Sequence, residues 1–244
     1  AVGSNGQQFS SSASASFVYT PSPVVSSLYP RRGPSSGGSQ VVLVGAHFAS
    51  GAQYECRFGA SVVPASFDAR NASVRCSSPP AAAVGPTAVA LTLNAQQFSS
   101  PASFEYYAAP NVSIASPVSG PAAGGTRIRL FGSGLGSGSD YRCRFGDVVV
   151  ESTLAGSGAN ATLLLVSPPL SSSSSGQNVS LEVSLNAHDF TSSRQLTFYL
   201  YEAPRVSSVV SPSGSFYGGT ALTVHGSGLG GSGDGPASVA QCRF

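Results

Sequence analysis

Alternating apolar and polar residues recur at three places in the chain, each time directly after a pair of glycines. The alternating apolar positions are Val41 and Leu43, Ile128 and Leu130, and Leu222 and Val224. Because successive side chains of a strand point to opposite faces, each stretch predicts a β-strand with one buried face. The glycine pairs favour a turn into the strand, and we expect the later glycines to end it. These later glycines are Gly45, Gly132 and Gly226.

Two further motifs repeat in the same order and mark hairpins. An aromatic segment ends in proline three times, at Pro23, Pro110 and Pro204. A short polar motif that begins with asparagine precedes each segment, at Asn5, Asn94 and Asn186. Polar turn residues between apolar runs are typical of β-hairpins, so each motif predicts a turn before a final strand.

The repeats divide the chain into units. We expect complete units at residues 24–110 and 111–204, the C-terminal strands of a partial unit at 1–23, and the N-terminal strands of another at 205–244. Each complete unit contains about seven short strand-like segments between Gly and Pro, and no window has the period of an amphipathic helix. The sequence therefore predicts an all-β fold of tandem immunoglobulin-like antiparallel β-sandwiches in a linear array.

Low charge is the main feature of the composition. Only 9% of residues are charged while 41% are hydrophobic, and the formal net charge is +2. With so few cations, and Arg31-Arg32 as the only basic doublet, the sequence argues against nucleic acid as a partner. Serine, threonine and glycine replace surface charge, so we expect solubility to come from hydroxyl groups or from groups attached to them.

Several motifs together resemble the IPT/TIG immunoglobulin-like domains. They are the entry from Pro117 to Thr126, the Cys-Arg-Phe-Gly strand, the strand end from Cys76 to Pro80, the asparagine hairpin and the closing Phe-x-Tyr. The resemblance covers nearly the whole chain and implies an immunoglobulin-like sandwich. Such domains are found in cell-surface receptors, secreted bacterial proteins and transcription factors, so the resemblance specifies the fold more than the function.

The resemblance also implies a disulfide. Family members often carry one, and Cys56 and Cys76 stand at the matching positions. We expect these two residues to be bridged, and the alternative is a pair of buried thiols. In the second unit Leu165 aligns with Cys76, so Cys143 is expected to be a buried free thiol, and Cys242 has no partner within its own unit.

Four Asn-x-Ser/Thr sequons are candidate N-glycosylation sites. They are Asn71, Asn160, Asn111 and Asn178. Asn71 and Asn160 each lie five residues before an equivalent strand position, so both units place a sequon in the same loop. We expect N-glycans, which would imply passage through a secretory pathway. The run Ser171 to Ser175 is compatible with O-glycans or, equally, with a flexible polar loop.

Catalytic and metal-binding motifs are not convincing. Residues 33–37 fit Gly-x-Ser-x-Gly, but a nucleophile elbow needs a helix after the turn and a strand is predicted there. The three histidines occupy non-equivalent positions without neighbouring Cys or carboxylate clusters. The sequence therefore predicts a protein that is not an enzyme, with no metal and no cofactor apart from covalent glycans.

Two functions remain open on the sequence alone. The first is a structural subunit or segment of an extracellular glycoprotein rod or filament, with copies of itself or further repeats of the same chain as head-to-tail partners. The second is a cell-surface receptor or adhesin ectodomain that binds a protein or glycan ligand. The next strand begins almost directly after Pro110 and Pro204, and such proline joints favour the first. Both imply an extracellular or cell-surface location, and no membrane span is expected in this segment.

Overall fold

The structure is a computed structural model that describes residues 19–170, 176–192, 196–211, 213–229 and 242. Over these residues the regular secondary structure consists of strands and two short 3₁₀ turns, with no α-helix. This confirms the predicted all-β class. The first sandwich contains β1 (Val24–Tyr29), β2 (Arg32–Pro34), β3 (Gln40–Ala46), β4 (Glu55–Phe58), β5 (Ser61–Asp68), β6 (Ser73–Ser77), β7 (Gly85–Thr92) and β8 (Ala102–Tyr107).

The first sandwich is one continuous ladder that folds over at its fifth strand. The strand order is β1-β3-β6-β5-β4-β7-β8-β2. Residues 65–68 of β5 pair with β6, whereas residues 61–64 of the same strand pair with β4. Strands that change sheets in this way form the corners of sandwiches. One layer therefore contains β1, β3, β6 and the second half of β5. The other layer contains β2, β8, β7, β4 and the first half of β5.

The second sandwich repeats this arrangement. Its strands are β9 (Asn111–Ser116), β10 (Ser119–Pro121), β11 (Arg127–Ser133), β12 (Arg142–Phe145), β13 (Val148–Ala155), β14 (Thr162–Val166), β15 (Gln177–Ser184) and β16 (Thr197–Tyr201). The order is β10-β16-β15-β12-β13-β14-β11-β9. Here β13 changes layers, because residues 148–151 pair with β12 and residues 152–155 with β14.

The short strands β2 and β10 correct the predicted pairing. We expected antiparallel sandwiches. Instead β2 and β10 each pair parallel with the last strand of their own sandwich. Each of these strands has only three residues, which is too few to show an alternating pattern in the sequence. Their proline is tolerated because a missing N–H group costs little at the edge of a sheet.

The later glycines of the repeated motif have another role than the predicted one. Gly45, Gly132 and Gly226 lie inside β3, β11 and the later β18 (Thr223–Ser227) and do not end them. At each position a Cβ would overlap a carbonyl oxygen of the antiparallel partner strand, that of Val24, Asn111 or Arg205. The glycines therefore permit a close approach of two strands, which is why the pairing is irregular there.

Each sandwich has its own core, built from the alternating positions. Val41, Leu43, Ile128 and Leu130 are almost completely buried, as the sequence predicts. Each core contains an edge-to-face pair of phenylalanines from two strands of the same layer. Phe58 and Phe104 have ring centroids 5.6 Å apart, and Phe145 and Phe198 are 5.7 Å apart. Such pairs stabilise a core beyond their buried area.

The predicted terminal units are described only in part. Residues 1–18, 230–241, 243 and 244 lie outside the described residues, and with them the predicted hairpin at Asn5. At the C-terminal side, β17 (Arg205–Val210) pairs antiparallel with β18. This is the pairing that β1 and β3 make in the first sandwich.

Candidate functional site

The structure joins Cys56 and Cys76 by a disulfide between two layers. Cys56 lies on β4 and Cys76 on β6, their Cα atoms are 6.4 Å apart, and both side chains are buried. The separation is within the usual range for a disulfide. Because β4 and β6 belong to opposite layers, the bridge connects the layers beside the strand that passes between them.

The equivalent position of the second sandwich holds a thiol without a bridge. Cys143 pairs with Val150 as Cys56 pairs with Val63, and Leu165 pairs with Ile128 as Cys76 pairs with Val41. The strand registers thus agree with the alignment of Leu165 and Cys76. Cys143 is buried and free, and burial raises its pKa to about 12. Cys242 is exposed and free.

All four sequon asparagines are exposed to solvent. Asn111 begins β9 and Asn178 lies in β15, whereas Asn71 and Asn160 lie in loops. Asn71 is in the loop between β5 and β6, and Asn160 ends the 3₁₀ turn Gly158–Asn160 between β13 and β14. These are the same loop of the two sandwiches. The candidate O-glycan run, Ser171 to Ser175, lies outside the described residues.

The two loop sequons have equivalent strand registers, but the residues that pair with them differ. The sequon hydroxyl residue Ser73 pairs with Val44 in the first sandwich, and Thr162 pairs with Phe131 in the second. The Asn71 amide donates a hydrogen bond to Asp68 at 3.0 Å. That bond and the backbone N–H of Arg70 hold the pKa of Asp68 below its ordinary value.

Beside Asn160 the second sandwich has an open groove of about 410 Å³. One wall is formed by Arg129, Phe131 and Gly132 of β11, and the other by residues of the sequon loop from Ala155 to Thr162. Phe131 is half-buried and Arg129 is exposed. No ion pair or hydrogen bond joins the Arg129 side chain to another residue in the described part of the chain.

In each predicted asparagine hairpin, the asparagine side chain closes the turn. The Asn94 carboxamide oxygen accepts the backbone N–H groups of Gln96 and Gln97, each at 3.1 Å. The Asn186 oxygen accepts those of His188 and Asp189, at 3.1 and 2.9 Å. A side chain that satisfies backbone donors in this way specifies a turn locally, which explains why the motif was visible in the sequence.

Sequence reasoning missed an arginine that packs on each hairpin. The Arg57 guanidinium lies 4.1 Å from the centroid of the Phe98 ring, and that of Arg144 lies 4.6 Å from the Phe190 ring. Arg144 also forms an ion pair with Glu182. The signal was present, because both units carry Cys-Arg-Phe and end the hairpin motif in Phe. These contacts stabilise the hairpins.

A metal-binding cluster is not found in the part of the chain that the structure describes. There, no three His, Cys, Asp or Glu residues are grouped so that they could hold an ion. Residues 33–37 are followed by β3, as predicted, and not by the helix that a nucleophile elbow requires. Within the same described ranges, no helix is long and apolar enough to cross a membrane.

Comparison with known proteins agrees with this architecture. The family profile described as the IPT/TIG domain matches residues 23–106 and 110–199. The chain belongs to the IPT/TIG domain family. This confirms the resemblance inferred from the glycine-pair, cysteine and hairpin motifs.

Two plexins are among the proteins to which this IPT/TIG chain is similar. Human plexin-B3 is 33% identical over 124 residues, which cover 50% of this chain and 6% of plexin-B3. The solved full extracellular region of plexin A4 is 16% identical, with a TM-score of 0.51 over 87% of this chain and 18% of that one. At this identity the plexin A4 likeness shows the fold alone. The chain spans only a small part of both plexins.

Proposed function

We propose that this chain is a segment of a receptor-type ectodomain, in which tandem IPT/TIG sandwiches support a binding region outside the cell and carry no catalytic activity. The observation that carries the proposal is the 33% identity to plexin-B3 over half of the chain. The fold match to plexin A4 is to the extracellular region of that protein, which is compatible with the same location for this chain.

The covalent chemistry supports an extracellular location. A disulfide between buried strands, such as Cys56–Cys76, persists in oxidising compartments and is rare where thiols are kept reduced. The exposed sequon asparagines are accessible to N-glycosylation, so we propose glycans at Asn71, Asn111, Asn160 and Asn178. Glycans would also hydrate a surface on which charged residues are few.

The ectodomain is favoured over the filament, to which the proline joints and the repeats point on sequence alone. An ectodomain of tandem domains shares both features. The plexin similarity is specific to one of the two functions, and nothing comparable supports self-assembly into a fibre. Head-to-tail association of copies is therefore an outcome for experiment and not part of the proposal.

The proposal is tested on intact cells of the source. An antibody raised against the 244-residue chain should label cells that have not been permeabilised, and mild protease treatment should remove the label. An antibody to a cytoplasmic protein, applied in parallel, checks that the membrane is closed. Labelling that requires permeabilisation would contradict an ectodomain. Fibres in electron micrographs of the native protein would instead support the filament.

A further inference from the structure

The groove beside Asn160 is suited to a sugar that is attached to the asparagine itself. Asn160 is exposed and lines the groove, so a sugar on its amide nitrogen would begin inside it. The walls combine an aromatic ring, a guanidinium and small residues. An aromatic ring offers an apolar surface to the C–H face of a pyranose, and a guanidinium carries five donors for hydroxyl or acetamido oxygens.

The position of the aromatic ring follows from the strand register. Phe131 of β11 is the direct partner of Thr162, the third residue of the sequon. Side chains of directly paired residues project from the same face of a sheet with their Cβ atoms about 5 Å apart. The Phe131 side chain therefore lies beside that of Thr162, on the same face of the sheet. Arg129, two residues earlier, projects from the same face and extends the wall along the groove.

The first sandwich provides an internal comparison. At the positions of Phe131 and Arg129 it has Val44 and Val42, which offer neither a ring nor a donor. The Asn71 amide is already engaged by the Asp68 carboxylate. The same loop of the same fold thus presents one sequon with an aromatic neighbour and one without.

We propose that the N-glycan of Asn160 lies in this groove, with its innermost N-acetylhexosamine stacked on Phe131 and hydrogen-bonded by Arg129, whereas the glycan of Asn71 extends into solvent. The inference rests on the proposed extracellular function, because it requires passage through a glycosylating pathway. It assigns the groove an occupant that is part of the mature chain.

The test compares the accessibility of the two glycans in one protein. The 244-residue chain is secreted from a eukaryotic host, treated in the native state with an amidase that cleaves the Asn–glycan bond, and analysed by site-resolved peptide mass. We expect release at Asn160 to be roughly tenfold slower than at Asn71, the factor that one aromatic contact would supply. After denaturation the two rates should be equal.

Matched variants attribute the protection to the ring. Phe131→Val gives the second sandwich the residue that the first has, and should raise the rate at Asn160 most of the way to that at Asn71, because only the Arg129 hydrogen bond remains. Val44→Phe is the reverse change and should slow release at Asn71 alone. If Phe131→Val fails to fold, the wild-type glycoprotein still gives an answer by NMR. Stacking shifts the protons of the first sugar at Asn160 upfield through the ring current, and does not shift those at Asn71.

Three results would overturn the proposal. They are an unoccupied Asn160 in the secreted protein, equal native release rates at the two sites, and absence of the ring-current shift. The recombinant host supplies the glycosylating pathway whatever the natural location of the chain. Failure here is therefore distinguishable from failure of the ectodomain function, which is tested on the source cells.

Discussion

Gly132 shows how one absent side chain sets the approach of two strands. It lies inside β11, where a Cβ would overlap the backbone oxygen of Asn111 on β9 and crowd the Cα of Val112. The contact is with backbone, which cannot rotate away as a side chain can. Gly45 and Gly226 have the same environment in their own units, so the requirement belongs to the fold and not to one sequence.

We therefore expect Gly132→Ala to lower the free energy of unfolding of the second sandwich by about 1–3 kcal/mol, the usual cost of overpacking. Gly136→Ala is the control. Its Cβ would lie 3.8 Å from that of Ala161, an ordinary contact, so its effect should be within about 0.5 kcal/mol. Hydrogen exchange of peptides from β11 and β14, measured across a urea series, gives the free energy of unfolding of each variant. Equal effects of the two substitutions would mean that β9 and β11 can move apart to admit a Cβ without a loss of stability.

Single residues also mark the limit of what sequence could predict. The alternation at Ile128 and Leu130 identified buried positions correctly, because a half-buried strand imposes that period on its own residues. The role of Gly132 was predicted wrongly, since a strand end and a close strand approach both favour glycine. The groove at Asn160 was not predicted at all. Phe131 and Asn160 are far apart in sequence, and only the pairing of β11 with β14 brings them together.

Strand register carries the argument for the second sandwich. Residue 165 occupies on β14 the position that Cys76 occupies on β6, and Cys143 occupies on β12 the position of Cys56 on β4. The strand that changes layers agrees, because Ser152 pairs with Leu165 as Ala65 pairs with Cys76. The pairing of three strands therefore puts residues 143 and 165 at the positions that Cys56 and Cys76 occupy in the first sandwich.

Leu165→Cys should consequently form a disulfide with Cys143 without rearrangement of the strands. The bridge should stabilise the second sandwich by about 3 kcal/mol relative to its reduced form, since it closes a loop of similar length to that of the first. Thiol counting by mass after alkylation of the unfolded protein should find one free thiol, that of Cys242, in place of the two in the wild type. The same substitution in a Cys143→Ala background isolates the loss of leucine packing. Three titratable thiols under oxidising conditions would contradict the equivalence of the registers.

Elements differ in how well the sequence predicted them. The asparagine hairpins were predicted because Asn94 and Asn186 satisfy the turn donors within their own few residues. The strands β2 and β10 were missed because three residues that pair with a distant last strand have no local pattern. Local hydrogen bonding can be read from sequence, whereas pairing across many residues depends on the assembled sandwich.

At the level of the whole chain, the two sandwiches share a fold and differ in covalent chemistry. The first is bridged between its layers by Cys56 and Cys76, and the second has a buried thiol and a leucine in those places. Each has its own buried core, so each can respond separately to a change that affects only one of them. Reduction is such a change, because it acts on the bridge alone.

Reductant should therefore destabilise the first sandwich selectively. Breaking a bridge that closes a loop of about 20 residues costs on the order of 3 kcal/mol of stability, mainly because the unfolded chain gains conformational entropy. Hydrogen exchange should accelerate in β3 and β6 after reduction and stay unchanged in β11 and β14. Cys143 should resist alkylation in both states, because its buried thiol, with a pKa of about 12, stays protonated at neutral pH. Equal acceleration in both sandwiches would show that they unfold as one cooperative unit, and the disulfide would then stabilise the whole chain.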